Sequence, residues 1–325
     1  MTQVKASTLK GYEAALSGAA FFPQVSAGYL MIGGAGRVAF LQRQTTNDVR
    51  LLSPDRALVT ALTSPTARIL DVLTLLAEPE AIAALTLPER GAGTARFLRS
   101  RIFFMDKVSV DDASAAYTQV DLIGPKAGEG LGRLGLNRSP QVDEVLSSEV
   151  AGGTLRVFGQ RGFGYRLLVP AASSEEIAGR LLEAGTIALS AESYTILRVE
   201  AGLPAAGHEL VEEYTPLEAG LEWAISDAKG CYTGQEVIAR QITYDKVTRH
   251  MVGLQVEGEL SVGERLWSPQ EDRPAGSVTS AAISPRFGPI ALGIIRRPFD
   301  APGTQLAVGD KPGGRTATVT ALPFK

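Results

Sequence analysis

Apolar residues recur along this chain with two periods, and the period changes mark its elements. Residues 29–32 (Tyr-Leu-Met-Ile) form a short apolar run that Gly33, Gly34 and Gly36 close, and Arg37 to Gln44 then reads as a short helix. Residues 57–76 alternate apolar and polar on both sides of Ser64-Pro65-Thr66, which predicts a hairpin turning at Pro65. Residues 90–108 read as a helix and then an extended stretch, and 115–124 as a strand. Residues 124–153 are rich in Gly and Ser and predict a loop-containing connection. Residues 154–169 give a second hairpin.

Helical spacing follows. Ser173 with Glu176 has the form of a capping box, Ile177, Leu181 and Leu182 form the apolar stripe, and Gly185 is the stop. A second helix is expected from Ala191 to Ala201, ended by Gly202 and Pro204. Thr233 and Glu236 predict a third capped helix, beginning just after Cys231. Beyond about residue 250 the pattern becomes short β-like runs split by Gly and Pro, the texture of a small barrel, so the domain boundary falls near 245–250. No internal repeat is evident.

Composition narrows the class. A chain of 325 residues with 45% hydrophobic and 21% charged content is globular and large enough for two or three domains. A net charge of −3 argues against strong general nucleic-acid binding. No run reaches the about 18 apolar residues of a membrane span, and Met1-Thr2-Gln3-Val4-Lys5 lacks a signal layout. One cysteine and no export signal suggest the cytoplasm. His208 and His250 are the only histidines, too few for a His-rich metal site.

The candidate chemistry centres on that cysteine. Cys231 lies in Lys229-Gly230-Cys231-Tyr232-Thr233-Gly234-Gln235-Glu236 and can form neither an internal disulfide nor a four-cysteine site. Lys229 two residues before it and a helix start after it would both favour thiolate. The plainer reading is a helix start preceded by a flexible turn, with Cys231 as filler; free cysteines are usually buried, and this one has Lys, Gly, Tyr and Thr around it.

Other segments have competing readings. Gly34-Ala35-Gly36-Arg37-Val38-Ala39, with Asp55 further on, imitates a dinucleotide fingerprint, but that requires a parallel strand after the helix and a hairpin follows instead; a tight turn is the better reading. In Arg198-Val199-Glu200-Ala201-Gly202-Leu203-Pro204, Glu200 opposes the helix dipole. It is either a solvated surface carboxylate or one that binds an amino-pyrimidine N–H pair, with Tyr194 able to stack on a flat ring. Glu200→Ala is expected to weaken binding of that ring and to cost little stability. Asn47 and Asp48, after Phe40-Leu41-Gln42-Arg43-Gln44-Thr45-Thr46, either cap the next turn or serve a site.

Together these segments resemble the glycine-cleavage T-protein superfamily, and within it the YgfZ branch of folate-binding proteins. Residues 229–236 match that branch's K-G-C-Y-x-G-Q-E signature and run on into Val237-Ile238-Ala239-Arg240; Arg198 to Pro204 matches R-x-E-A-G-x-P. Phe40 to Val49 matches F-L-Q-x-Q-x-T-x-D-V, and Pro274-Ala275-Gly276-Ser277-Val278 through Gly288 to Arg297 is similar to the C-terminal barrel. The resemblance implies an α+β fold, a T-protein-like ring of mixed and antiparallel sheets with helices over 1–248, as two intertwined subdomains, and a small β-barrel over 249–325. It implies binding of tetrahydrofolate or a one-carbon derivative, and a part in iron–sulfur cluster assembly or repair, supporting iron–sulfur client enzymes including tRNA-modifying ones. The residues it proposes are Cys231 and Lys229 for chemistry, and Glu200, Tyr194, Arg198, Asp48, Arg68, Tyr232, Gln235 and Glu236 for the cofactor. The other function it allows is a folate-dependent aminomethyltransferase. Three departures stand out: Pro65-Thr66-Ala67-Arg68 keeps only the arginine of the Gly-Arg or Gly-Lys turn pair, Gly34-Ala35-Gly36 lacks the family's acid, and no Asn-Ala…Asp segment is recognisable.

Overall fold

A computed structural model describes residues 6–309 and 315–325. The segment read above for a signal layout, residues 1–5, lies outside them. Helix α1 (Ala6–Ser17) leads into β1 (Ala20–Pro23). The chain then builds a separate unit from β2 (Ala27–Gly33), α2 (Arg37–Gln44), β3 (Leu58–Thr63), β4 (Ile69–Ala77), β5 (Ala81–Pro88), α3 (Gly91–Ser100) and β6 (Ser109–Asp112). Its five strands lie in the order β3-β4-β5-β2-β6.

The chain then returns to pair with β1. It contributes β7 (Tyr117–Ile123), α4 (Ala127–Arg133), β8 (Val145–Val150), β9 (Gly153–Gly159), β10 (Tyr165–Pro170), α5 (Ser174–Glu183), β11 (Ile187–Ala188) and α6 (Ala191–Glu200). This sheet has the order β11-β1-β7-β10-β9-β8. After α7 (Gln235–Thr243), strands β12 (Arg249–Val256), β13 (Arg265–Trp267), β14 (Pro274–Ser284), β15 (Gly288–Arg296), β16 (Gln305–Val308) and β17 (Thr316–Thr320) close a barrel in the order β12-β15-β14-β13-β16-β17. The fold is thus the expected α+β arrangement with a C-terminal β-barrel. Among the described residues no helix is long and apolar enough to cross a membrane.

Each unit has its own apolar core. Leu30, Phe40, Leu62, Leu73 and Leu98 fill the first sheet's face, Leu122, Leu131, Leu155, Leu167 and Leu181 the second, and Leu254, Leu266, Ile295 and Leu306 the barrel. The stretch 124–153 is the loop-containing connection expected, and within it lie α4 and β8, whose Gly- and Ser-rich sequences hide Leu131 and Val145, both packed into cores. Two local readings are corrected. The Ser173 capping box does not form, because the Ser173 hydroxyl donates to the Ala151 carbonyl instead. Leu182 is 53% exposed and lies off the stripe. The fingerprint-like glycines do serve a turn: β2 pairs antiparallel with β5 and β6, and Gly34 has φ +92° with room for no Cβ, which would sit 2.1 Å from the Lys107 carbonyl oxygen.

Candidate functional site

The cysteine loop is built against the N-terminal motif. Thr46 Oγ1 donates to the Ala224 carbonyl at 2.7 Å, and Ser226 N–H to the Thr46 carbonyl at 3.0 Å. Lys229 Nζ donates to the carbonyls of Thr45 (2.6 Å) and Asn47 (2.7 Å), and Thr233 N–H to that of Arg43 (3.0 Å). Two segments distant in sequence are thereby stitched together on both sides of Cys231. The Tyr232 ring is buried against Ala67, Leu217 and Ile238, with Lys229 Nζ 4.9 Å from its centroid. Burial pushes the Tyr232 hydroxyl up to about 12. Gly234, at φ +85°, presses on the β3–β4 turn, where a Cβ would lie 2.8 Å from the Ser64 carbonyl oxygen. Between these anchors Cys231 is exposed.

Two expectations for this loop fail. Lys229 does not lie free beside the thiol; it is buried, and desolvation lowers its pKa to about 8. The Thr233–Glu236 capping box is absent: the helix is capped by Gly234 and begins at Gln235, and Glu236 is an exposed residue paired with Arg240 at 2.6 Å. Thr233 is spent on the Arg43 backbone, so the helix starts later than the spacing suggested.

The cofactor candidates fall into separate places. On α6, the Tyr194 ring stacks on Phe22 (4.2 Å between centroids) and meets Phe163 edge-on at 5.5 Å. Its hydroxyl donates to Asp121 Oδ2 at 2.7 Å and accepts from Gln24 Nε2 at 2.8 Å. Burial and then the Asp121 carboxylate raise the Tyr194 pKa. Asp121 is fully buried, gripped by Arg166 Nε (2.8 Å) and Nη2 (3.0 Å) and by Gln160 Nε2 (2.8 Å). This polar cluster was not singled out from the sequence. Its signal was Gln119 and Asp121, two polar residues at alternate positions of the strand and therefore on one face.

Glu200 is not a surface carboxylate. It is 6% exposed; its Oε1 accepts from the hydroxyls of Tyr12 (2.7 Å) and Ser284 (2.5 Å), and Arg286 lies 3.7 Å from Oε2. It joins α1, α6 and the barrel. The expectation that Glu200→Ala costs little stability is therefore overturned: two buried hydroxyls lose their acceptor, and a loss of about 2–3 kcal/mol is expected in urea unfolding. A change below about 0.5 kcal/mol, typical of a surface position, would refute this placement.

The remaining candidates are also engaged. Arg198 is buried, donates to Ser280 Oγ at 2.9 Å and faces Glu209 at 3.7 Å. Asp48 caps the short turn Val49–Leu51; the hydrogen-bonded Arg50 guanidinium holds its carboxyl well below the usual range. Arg68 donates to the Glu213 carbonyl at 2.7 Å and lines a cleft with α7. Gln235 opens α7. A second, smaller pocket of ≈ 380 Å³ lies between Thr195 and Ile196 of α6 and Ala281 and Ala282 of the barrel.

An acid with a raised pKa exists in the first unit. Asp71 is fully buried, and burial pushes its carboxyl up to about 7 despite hydrogen bonds from Thr94 Oγ1 (2.5 Å) and the N–H groups of Val72 and Leu87. The native state therefore holds this proton more tightly than the unfolded chain, whose value is near 3.8. Its contribution to stability is fully present below that value and is lost as pH rises through about 7. Asp71→Asn keeps an acceptor for the Val72 and Leu87 N–H groups and donates from Nδ2 to the Thr94 hydroxyl, and is expected to raise stability at pH 8 relative to pH 5 by about 1–2 kcal/mol. An unchanged pH slope in the variant would contradict this.

Residues 2–229 match the GCVT N-terminal domain, and residues 249–325 the glycine cleavage T-protein C-terminal barrel domain. A chloroplastic transferase-like protein of Arabidopsis thaliana is 28% identical over 91% of this chain and 69% of its own length. An aminomethyltransferase of Thermus thermophilus is 31% identical over 79% of this chain and 74% of its own. The crystal structure of an aminomethyltransferase T from Bartonella henselae, 21% identical, superposes with a TM-score of 0.86 over 98% of this chain and 89% of that one.

Proposed function

The chain belongs to the glycine cleavage T-protein family, and from that premise we propose that it is a tetrahydrofolate-binding accessory protein for iron–sulfur enzymes, working through Cys231. The observation that carries this reading is the loop itself. The chain's one thiol is exposed, on a segment fastened on both sides by buried hydrogen bonds. A loop with only a turn to make would not need a buried ammonium to hold it. The folate would bind near α6, where Phe22 and Tyr194, stacked on each other and only partly buried, leave aromatic surface at their margin. A single thiol supplies one ligand, so a cluster handled here would take its others from a client, a second copy or a small thiol.

Aminomethyl transfer is the second reading, favoured by the relatives of that name that align along most of the chain. It needs a protonated, reachable acid at the folate. Asp71 has the raised pKa but is sealed in the first unit, while Asp121 is ion-paired and Glu200 fully engaged. That favours the accessory role.

The test is rescue of a strain lacking its own family member, wild type against Cys231→Ser, read as iron–sulfur enzyme activity. Tetrahydrofolate binding is measured on both proteins. Rescue by wild type alone, with equal folate binding, is expected. Equal rescue by Cys231→Ser would remove the thiol from the function, and glycine-cleavage activity surviving that change would establish the second reading.

A further inference from the structure

The loop between α3 and β6 carries three consecutive exposed large apolar side chains, the one such run among the described residues: Phe103, Phe104 and Met105 are 68%, 98% and 77% exposed. Both arms of the loop are held. Ile102 and Val108 pack against the first unit's core, and Gly36 N–H, at the start of α2, donates to the Lys107 carbonyl at 3.0 Å. Asp106 closes the turn between them. Its N–H donates to the Phe103 carbonyl at 2.9 Å, and its carboxylate accepts from Phe103 N–H at 3.0 Å and from Arg43 Nη2 at 2.8 and 3.0 Å. The fold thus turns two apolar residues inward and presents three outward on a fixed tip. Single exposed apolar residues need no explanation, but a contiguous run does. Cations flank it: residues 96–107 hold Arg96, Arg99, Arg101 and Lys107 against one acid, Asp106, whose charge Arg43 already meets. Arg101 lies over the Phe97 ring at 4.9 Å, and among the described residues neither it nor Lys107 is ion-paired. The next acids, Asp111 and Asp112, sit further along on β6, where Asp112 is bonded to Ser114.

Area and charge together select the occupant. A stable protein partner, or a second copy of this chain, needs about 800 Å² from each side. Two phenylalanines bring about 150–250 Å² each, and the tip lines neither the cleft beside α6 nor the one beside α7 that could extend it. A lipid interface asks for no matching pocket: a short apolar tip enters between headgroups and acyl chains while flanking cations meet the headgroups. We propose that the α3–β6 loop docks this protein on anionic lipid surfaces, with Phe103, Phe104 and Met105 entering the interface and Arg101 and Lys107 meeting the headgroup phosphates. The contact is peripheral, since no described helix is long and apolar enough to cross a membrane. It is also reversible, because each cation at such a surface is worth about fivefold in binding. Arg43 holds the tip by its side chain and the Cys231 segment by its carbonyl, so the two are fixed relative to each other. The inference requires neither the thiol nor the folate.

The experiment is co-sedimentation of the full chain with vesicles of phosphatidylcholine alone and of equal parts phosphatidylcholine and phosphatidylglycerol, at low and high salt. Binding to the mixed vesicles that weakens with salt is expected. The double variant Phe103→Ser with Phe104→Ser should weaken it about tenfold or more, and Arg101→Glu with Lys107→Glu about twentyfold or more. All four substitutions are at exposed positions, and an unchanged thermal midpoint shows that both variants are folded. No sedimentation with the mixed vesicles, equal binding to phosphatidylcholine alone, or undiminished binding by the phenylalanine variant would overturn the proposal. Loss of rescue by the phenylalanine variant without any vesicle binding would overturn it too, and would assign the loop to a protein partner.

Discussion

Lys229→Met is expected to abolish rescue as completely as loss of the thiol does, with Cys231 still present and still reactive toward a small thiol reagent. The ammonium is the pin between two chain segments: it donates to the Thr45 and Asn47 carbonyls, and methionine fills the space of the stem without replacing either bond. Two carbonyls then lose their donor, for a stability loss of about 2–3 kcal/mol. Part of the gross loss is offset because a desolvated cation is also removed, as its pKa of about 8 shows. The sign of that offset is testable. Between about 8 and the ordinary 10.5 the unfolded chain binds the Lys229 proton more tightly, so this group's contribution to stability rises with pH there and is absent in the variant. Full rescue by Lys229→Met would show that the thiol acts without a fixed position, and the anchoring argument would fall.

Arg166→Met should be the most destabilising single change in the second unit, about 3–5 kcal/mol. Asp121 has no exposed surface, and among the described residues Arg166 is its one cationic partner, by two hydrogen bonds. Without it an uncompensated carboxylate is left in the core, held among the described residues by Gln24, Gln160 and the Tyr194 hydroxyl. The double variant Asp121→Asn with Arg166→Met should recover much of the loss, since no buried charge remains. Tetrahydrofolate binding by Arg166→Met, measured where the variant is folded, is expected to weaken because Asp121, the acceptor of the Tyr194 hydroxyl, is no longer held in place and the stack of Tyr194 on Phe22 loosens. A cost below about 1 kcal/mol in urea unfolding would mean that the pair is solvated, as an exposed ion pair is.

Glycine placement explains which local readings survived. The helix Arg37–Gln44 was legible because glycine precedes it and Phe40 and Leu41 are both buried. The helix Ala191–Glu200 was legible because Gly202 and Pro204 stop it. Both capping boxes were misread for one reason. Ser173 and Thr233 hydroxyls bond to carbonyls of other segments, Ala151 and Arg43, and a pattern of neighbours in sequence carries no information about those partners. Helix α4 was missed because its seven residues are mostly Gly and Ala with a single buried leucine, too little periodicity to register.

The sequence by itself determined the barrel texture after about residue 250 and the singularity of Cys231, and its motifs carried the resemblance that implied the class of fold. The first two depend on periodicity, on turn residues and on counting, all of which are local or additive. Tertiary structure alone decided what the charged residues do. Lys229 became an anchor, Glu200 a joint between α1, α6 and the barrel, and Asp121 the centre of an ion-paired cluster. The physical reason is that the strength of a charged group depends on its burial and on the partners brought to it. Those partners lie 45 to 188 residues away in the chain for Arg166 with Asp121 and for Tyr12 with Glu200.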